Sequence, residues 1–598
     1  MTQVLQTIKS EDLPLSSVFQ AFYEVPAYQR EYVWRQEQVE ELLHDVNTEF
    51  VSADGGPTEY FIGSIIALGK DNQTFELIDG QQRMTTLFLV LCAIRDRLKE
   101  LGANVPETLS QQIAAASVDD EGDEVRRYRV ELQYEDSQGV LERIGAALPV
   151  DEKQARTRSV ENILRAYATA RTFLQSECPD ASTTRKLHGF LINRVKLIRV
   201  QTASVAHALK VFETINDRGV GLDSMDLLKN LLFMHAESAA FEELKIVWKG
   251  MVDTLHEAKE KPLRFLRYLI FADFESRQRL REEDIYGWLR DHESQTGYRS
   301  DPLGFARRLA RAADAYVRFA GGRNVDGTVN PHLENLRTLS GAAHQQFILL
   351  LAGRHLPQSV FDRLAEELEN LFFAYVITRE PTNTFEQTFT QWCASLRQVR
   401  TLPELEGFLA SHFAPAKEKL AVRYDVAFKE LTDESVQRYR LRYILAKLSQ
   451  YVDLIAKGEH GAAGRLGTYI NKTVQIEHIL PQTPTPAIRA AFEPTEEYGI
   501  FVRLLGNLTL LEKAINASVG NGVFADKQAA FKQSDFLLTR SLAGPVQVGQ
   551  NTSYEQAAKH LKVFQTWQGE QILQRQDMLR ELAFLVWDMP QPKRALRG

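Results

Sequence analysis

The stretch that most restricts what this chain can fold into runs from Tyr60 to Lys99. Tyr60 to Leu68 is apolar and β-prone, Lys70-Asp71-Asn72-Gln73 is a polar turn, and Thr74-Phe75-Glu76-Leu77-Ile78 is a second strand, so a hairpin is predicted. It runs directly into Asp79-Gly80-Gln81-Gln82-Arg83 and then a helix from Met84 to Lys99. A strand, a glycine turn and a helix start make a candidate anion site, because first-turn amides and the helix dipole face the ligand together. The apolar run Leu87–Ile94 within that helix is far too short to span a membrane.

A chain of 598 residues exceeds what one core can organise, so two to four domains are expected. Residues 1–240 mix strands and helices, with a helix over Glu37–Phe50 and a strand near Arg194–Val200. Within them, the polar, partly acidic stretch 101–150 is expected to lie outside the core. Residues 241–470 are helical in pattern, with no fixed repeat period. Residues 471–598 are mixed again. The expected class is therefore α+β multidomain, with a largely α-helical middle.

Charge narrows the function. A net charge of −8 argues against a protein that coats DNA nonspecifically, but it leaves room for a nuclease with local basic surface. The three cysteines, Cys92, Cys178 and Cys393, have neither metal-ligand nor disulfide spacing. With no signal-peptide pattern at the N-terminus, a cytoplasmic protein is expected.

The second informative stretch is Gln475-Ile476-Glu477-His478-Ile479-Leu480-Pro481-Gln482, followed by Leu505-Gly506-Asn507-Leu508-Thr509-Leu510-Leu511 and Asn516. Hydrolysis of a phosphodiester needs a base for water, a group that fixes the base's imidazole, and oxygen ligands for a metal. His478 can be the base and Asn507 its orienting partner, while Glu477 and Asn516 can help hold Mg²⁺ or Mn²⁺. In the N-terminal half, Arg83 can fork onto phosphate oxygens, Asp79 can bind Mg²⁺ or position water, and Gln81 or Gln82 can orient that water. Tyr28, Gln29 and Arg30 lie on an aromatic, charged loop suited to nucleotide contact or to sensing a modified DNA group. Asn216-Asp217-Arg218-Gly219 is a turn that fits a structural elbow or a phosphate contact equally well. No Walker A motif is present, so the site is not a P-loop.

These motifs carry a resemblance. Glu477-His478-Ile479-Leu480-Pro481-Gln482, Leu505–Leu511, Asn516 and Lys527 resemble the C-terminal nuclease domain of the GmrSD family. Pro26–Trp34, Phe61-Ile62-Gly63-Ser64-Ile65, Asp79–Arg83 and Asn216–Gly219 resemble its N-terminal domain. The resemblance implies a ParB/sulfiredoxin-like N-terminal domain that hydrolyses nucleoside triphosphate (GTP, ATP or UTP). It also implies a His-Me-finger (HNH, ββα) nuclease domain at the C-terminus. His478 would then be the general base, Asn507 its orienting residue, and Glu477 and Asn516 would lie on the metal side. Glu477 stands where such nucleases often carry Asp, and Asn516 where they often carry His. Asp79, Gln81, Gln82 and Arg83 would face nucleotide phosphates, with Arg30 and Arg218 against them. Tyr28, Gln29 and Lys527 would contact DNA or its modification.

The implied protein is a single-chain, modification-dependent type IV restriction enzyme in antiphage defence, similar in architecture to the BrxU enzymes and SspE effectors. Its partners would be modified double-stranded DNA and a nucleoside triphosphate, with a homodimer allowed and no membrane. A nucleotide-regulated nuclease toxin acting on RNA or host DNA, and a non-catalytic DNA-binding adaptor, are the alternatives from other classes.

Overall fold

The computed structural model describes residues 8–26, 31–52, 59–70, 73–118, 124–133, 139–149, 157–202, 224–274, 280–341, 343–458, 466–520, 522–544 and 561–592, with single residues 137, 208, 211 and 559. Tyr28, Gln29, Arg30 and Arg218 lie outside the described residues. The chain is a mixed α+β protein that divides into two compact units. One comprises residues 1–252 with 283–308, the other residues 253–282 with 309–598.

The first unit is built on a six-stranded mixed sheet in the order Lys9–Pro14, Val195–Thr202, Tyr60–Gly69, Thr74–Asp79, Phe22–Val25, Val130–Leu132. The predicted hairpin forms, with Tyr60–Gly69 antiparallel to Thr74–Asp79. Val195 and Leu197 are buried at the start of their strand and Val200 and Thr202 at its end, so buried positions fall on both parities rather than on one face alone. The helix Gln81–Glu100 is buried over almost its whole length, from Met84 through Ile94. It packs among the sheet and the helices Arg158–Glu177 and Ala181–Arg194. Burying each such Leu, Val or Phe side chain contributes about 1.5–3 kcal/mol, so this helix is the largest single store of apolar burial around the Asp79 turn.

Residues 101–150 do not lie outside the core as expected. Val130–Leu132 supplies the sixth strand by pairing parallel to Phe22–Val25. Leu109, Ile113, Val140, Leu141 and Ile144 join the core. The acidic run that dominates the composition hides a three-residue strand and two short amphipathic helices, each too short to show a clear period.

The second unit is mostly helical. Gln358–Ile377, Leu402–Lys429, Arg438–Ala456 and Gly569–Val586 pack together, with Trp587 stacked on Phe373 at 4.0 Å between ring centroids. Against them lies a two-stranded antiparallel sheet, Val474–His478 with Leu508–Glu512. No described helix is long and apolar enough to cross a membrane.

Candidate active sites

His478 is the last residue of its strand and sits opposite Leu508. The chain then turns around Asn507. The Asn507 carbonyl accepts from Ile479 N at 2.9 Å, and its side-chain Oδ1 accepts from Leu480 N at 2.6 Å and from Trp567 Nε1 at 3.0 Å. Its Nδ2 donates to Leu480 O at 3.1 Å and Val502 O at 2.9 Å. All four side-chain hydrogen-bonding positions are thus used, in a fully buried amide. Asn507 does not reach the imidazole. It holds the backbone that follows His478, so it positions His478 through the chain rather than through the ring.

The ring's partner is a residue that sequence reasoning missed. His478 Nε2 lies 3.3 Å from Asp433 Oδ2. Asp433 is brought there by a short antiparallel bridge between Thr432 and Leu504, reinforced by Asp433 N donating to Arg503 O at 2.9 Å and Leu505 N donating to Leu431 O at 2.9 Å. Its other oxygen, Oδ1, is buried without a hydrogen bond and has Arg503 Nη1 3.7 Å away. Burial lowers the His478 pKa, the Asp433 hydrogen bond opposes that, and the net shift is downward. A neutral imidazole that can take a proton is the result.

Glu477 and Lys527 form a buried pair beneath His478. Lys527 Nζ is 2.6 Å from Glu477 Oε1 and donates to His478 O at 2.7 Å. The Lys527 side chain is only 1% exposed, which corrects the expectation that it contacts DNA. It is an internal tether between the Glu477 carboxylate and the His478 carbonyl. Asn516, on the helix Lys513–Val519, donates from Nδ2 to Gln475 Oε1 at 2.9 Å.

The turn Leu505–Asn507, just before the strand Leu508–Glu512, is clamped by the helix Gly569–Val586. Arg575, fully buried, donates from Nη1 to Gly506 O and Leu508 O, each at 2.7 Å. Gln576 Oε1 accepts from Gly506 N. A Cβ on Gly506 would lie 2.3 Å from Ile572 O, so this close approach needs a glycine. The Leu505-Gly506-Asn507 string is therefore the imprint of the later helix Gly569–Val586, through Ile572, Arg575 and Gln576.

Among the described residues, no three His, Cys, Asp or Glu side chains gather as a metal cluster. The donors beside His478 nonetheless suit Mg²⁺, which takes oxygen ligands and needs only one or two carboxylates when phosphate and water complete its shell. The observation that fits is the buried, unbonded Asp433 Oδ1. Glu477 keeps a second oxygen besides the one paired to Lys527, and Asn516 keeps its Oδ1.

In the first unit, Gly80 has φ +86°, and a Cβ there would lie 2.5 Å from Ile65 Cγ2. This glycine turns the strand ending at Asp79 into the helix beginning at Gln81. Arg83, in the first turn, donates from Nη1 to Ser64 O at 2.8 Å and lies over Gly63, where a Cβ would be 3.1 Å from Nη2. Phe61-Ile62-Gly63-Ser64 and Asp79–Arg83 are therefore one structure, with Gly63 (φ +103°) making room for the guanidinium. Burial lowers the Arg83 pKa, opposed by the Asp79 carboxylate nearby. Gln82 departs from its expected role. Its Oε1 accepts from Val33 N at 2.8 Å and Trp34 N at 3.2 Å, and its Nε2 donates to Glu31 O at 3.0 Å. It pins the loop that follows residues 27–30 rather than facing a phosphate. Gln81 is buried at the first helical position.

Asp433 left no signal in the sequence, since it stands 45 residues before His478 in an unremarkable Asp-Glu-Ser turn. Arg575 was equally silent, although an arginine on the apolar face of a late helix was the available hint.

The GmrSD restriction endonuclease N-terminal domain matches residues 5–233. The GmrSD restriction endonucleases C-terminal domain matches residues 421–582, a span that contains Asp433, His478, Asn507, Lys527 and Arg575. No curated protein matches the chain. Two family domains in this order, covering about two thirds of the chain, make this protein a member of the GmrSD restriction endonucleases, nucleases that act on DNA in restriction.

Proposed function

We propose that this restriction endonuclease is an HNH-type, metal-dependent enzyme that cuts modified DNA under the control of a bound nucleoside triphosphate. The observation that carries the catalytic half is the Asp433–His478 pair at the end of a strand, set over the Glu477–Lys527 pair. With Asp433 accepting from Nε2–H, the other ring nitrogen, Nδ1, is the basic one and takes the proton of the attacking water. Asp433 then stabilises the imidazolium that forms. Asn507 fixes the turn after His478, and Lys527 holds the strand end by its carbonyl. Asp433 Oδ1, Glu477 and Asn516 are the residues that would hold Mg²⁺, whose chemistry is stabilisation of the departing oxygen.

For the N-terminal half the support is the Asp79-Gly80 turn, which opens a 20-residue helix with Arg83 in its first turn. Asp79, Gln81 and Arg83 are the residues proposed to meet the nucleotide, with Arg30 and Arg218. A ParB/sulfiredoxin-like ancestry suits a mixed sheet feeding such a helix. Nucleotide can regulate cutting only if it binds two arrangements of the protein with different affinity.

Matched plasmids differing only in modification (hydroxymethylated or glucosylated cytosine, phosphorothioate, none), incubated with and without nucleotide and Mg²⁺, test the reading. Cleavage confined to one modified plasmid is expected. Equal cutting of all four would remove the modification dependence, and full NTP hydrolysis by Asp79→Ala would remove the N-terminal site.

A further inference from the structure

The nuclease reading poses a problem of charge. Duplex DNA presents a dense row of phosphates, yet the groups that flank His478 are acids, Asp433 at the ring and Glu477 beside it in the strand. Lys527 does not offset them toward solvent, because its ammonium is buried and spent on Glu477 and the His478 carbonyl. Arg503 is placed differently. Its Nη1 stands 3.7 Å from Asp433 Oδ1, while the other oxygen of that carboxylate meets His478 Nε2 at 3.3 Å. One carboxylate thus separates the guanidinium from the imidazole, and the Arg503 side chain is 45% exposed.

The guanidinium is not what builds the turn that carries Asp433. That turn closes on itself, with Thr432 N donating to Ser435 Oγ at 2.8 Å and Ser435 N donating to Thr432 Oγ1 at 3.1 Å. Arg379 Nη2 braces it through Ser435 O at 3.1 Å. The bond from Asp433 N to Arg503 O uses only the main chain of Arg503. What the Arg503 side chain holds is Glu434, a carboxylate 66% exposed. An ion pair this open to water adds little to stability. It engages Nη1 alone, and among the described residues Nε and Nη2 meet no acceptor. A planar guanidinium matches phosphate with two parallel N–H donors, so the unused side of Arg503 is suited to a backbone phosphate.

We propose that Arg503 binds a phosphate of the DNA strand that His478 attacks, and that Glu434 holds the guanidinium in place until the phosphate displaces it. The proposal rests on the reading of His478 as the nuclease base and names the residue that brings the DNA backbone to it. Arg503 exchanges one exposed carboxylate for phosphate oxygens that its fork takes in pairs. Glu434 turns into water, which asks little of a side chain already mostly solvated. Glu434 therefore opposes binding while Arg503 favours it, although the two form one ion pair in the protein alone.

The test measures binding of short DNA duplexes, unmodified or carrying hydroxymethylated cytosine, to full-length His478→Ala protein without divalent metal, so that binding is read apart from cutting. Salt is varied from about 50 to 200 mM. Arg503→Gln is expected to weaken binding roughly tenfold and to flatten the slope of log K against log salt by about 0.9, the loss of one phosphate contact. Arg503→Lys keeps the charge and should keep the slope. Glu434→Gln should tighten binding. If Arg503 only braces the turn, Arg503→Gln and Glu434→Gln break the same pair, act in the same direction and leave the slope unchanged, and the proposal falls. It falls as well if thermal melting shows Arg503→Gln unfolded, since the turn then needs the guanidinium, or if neither duplex binds. Plasmid cutting with His478 intact or replaced reads the nuclease assignment separately. Cutting lost with His478→Ala beside an unchanged slope removes the role of Arg503 alone. A flattened slope beside undiminished cutting by His478→Ala removes the base and leaves the phosphate contact.

Discussion

His332 and His478 each face a carboxylate within the same unit, and the two pairs are finished differently. His332 Nδ1 lies 2.8 Å from Glu369 Oε2. That carboxylate, wholly buried, is also bound by Asn335 Nδ2 at 3.1 Å, Tyr443 OH at 2.6 Å and Lys447 Nζ at 3.1 Å. Lys447 and the other partners hold the Glu369 pKa down to about 2 against the burial that raises it. Every position around Glu369 is occupied by protein, and a group so enclosed can hold helices together but cannot meet substrate. At the other pair, His478 and Asp433 are each 16% exposed, their bond is longer at 3.3 Å, and Asp433 Oδ1 has no hydrogen bond. Chemistry needs that incompleteness, because water, phosphate or a metal must find a place in the network.

This contrast can be broken by experiment. The largest effect is expected from His478→Ala, which should lower DNA cleavage by about 10²–10⁴-fold or more, the worth of a general base, while thermal melting stays close to wild type. Retained cleavage would make His478 a second structural histidine. Glu369→Ala should do the reverse. It strands a buried Lys447 ammonium and should cost about 3–5 kcal/mol in urea unfolding, with catalytic rate per folded molecule unchanged. A stable Glu369→Ala protein with weak cleavage would exchange the roles assigned to the two pairs.

Asp433→Asn should lower the cleavage rate by about 10–100-fold, the usual cost of losing a group that orients a catalytic or metal-binding residue. Because Asp433 raises the His478 pKa, its removal should also move the acidic limb of the pH–rate profile to lower pH. An unmoved limb would separate Asp433 from the base.

The smallest effect is read from stability against pH. The folded Glu369 pKa lies below its unfolded value, so its contribution is complete above about 4.5 and is lost as pH falls toward about 2. Wild type should lose stability in that window faster than Glu369→Gln, and parallel curves would mean that another carboxylate dominates acid unfolding.

Much of the site was legible because its residues are adjacent in the chain or answer a local rule. The hairpin, the Asp79-Gly80 turn and the helix behind it follow from apolar alternation and a glycine whose left-handed backbone no other residue adopts cheaply. His478 was legible from the Glu477-His478 pair with Pro481 three residues on. The roles of its neighbours were not. Asn507 and Gln82 were read as groups aimed at a ring or a phosphate, yet each spends its amide on backbone, which a sequence cannot distinguish because the same donors and acceptors serve both purposes. Lys527 was read as a contact to DNA or its modification, whereas its side chain is buried and paired with Glu477. The strand Val130–Leu132 was lost in an acidic stretch because three residues are too few to show a period.

By itself, then, the sequence determined that a strand-ending Glu477-His478 and a helix-opening Asp79–Arg83 exist, since both are written in consecutive residues and local backbone preference. Only the tertiary structure decided what each residue does there. Asp433 becomes the partner of His478 through a bridge between segments some 70 residues apart, and Arg575 and Gln576 explain Gly506 from a separate helix. Such assignments depend on which side chains exhaust their hydrogen bonds and which keep one unused, and that is fixed by packing between distant parts of the chain.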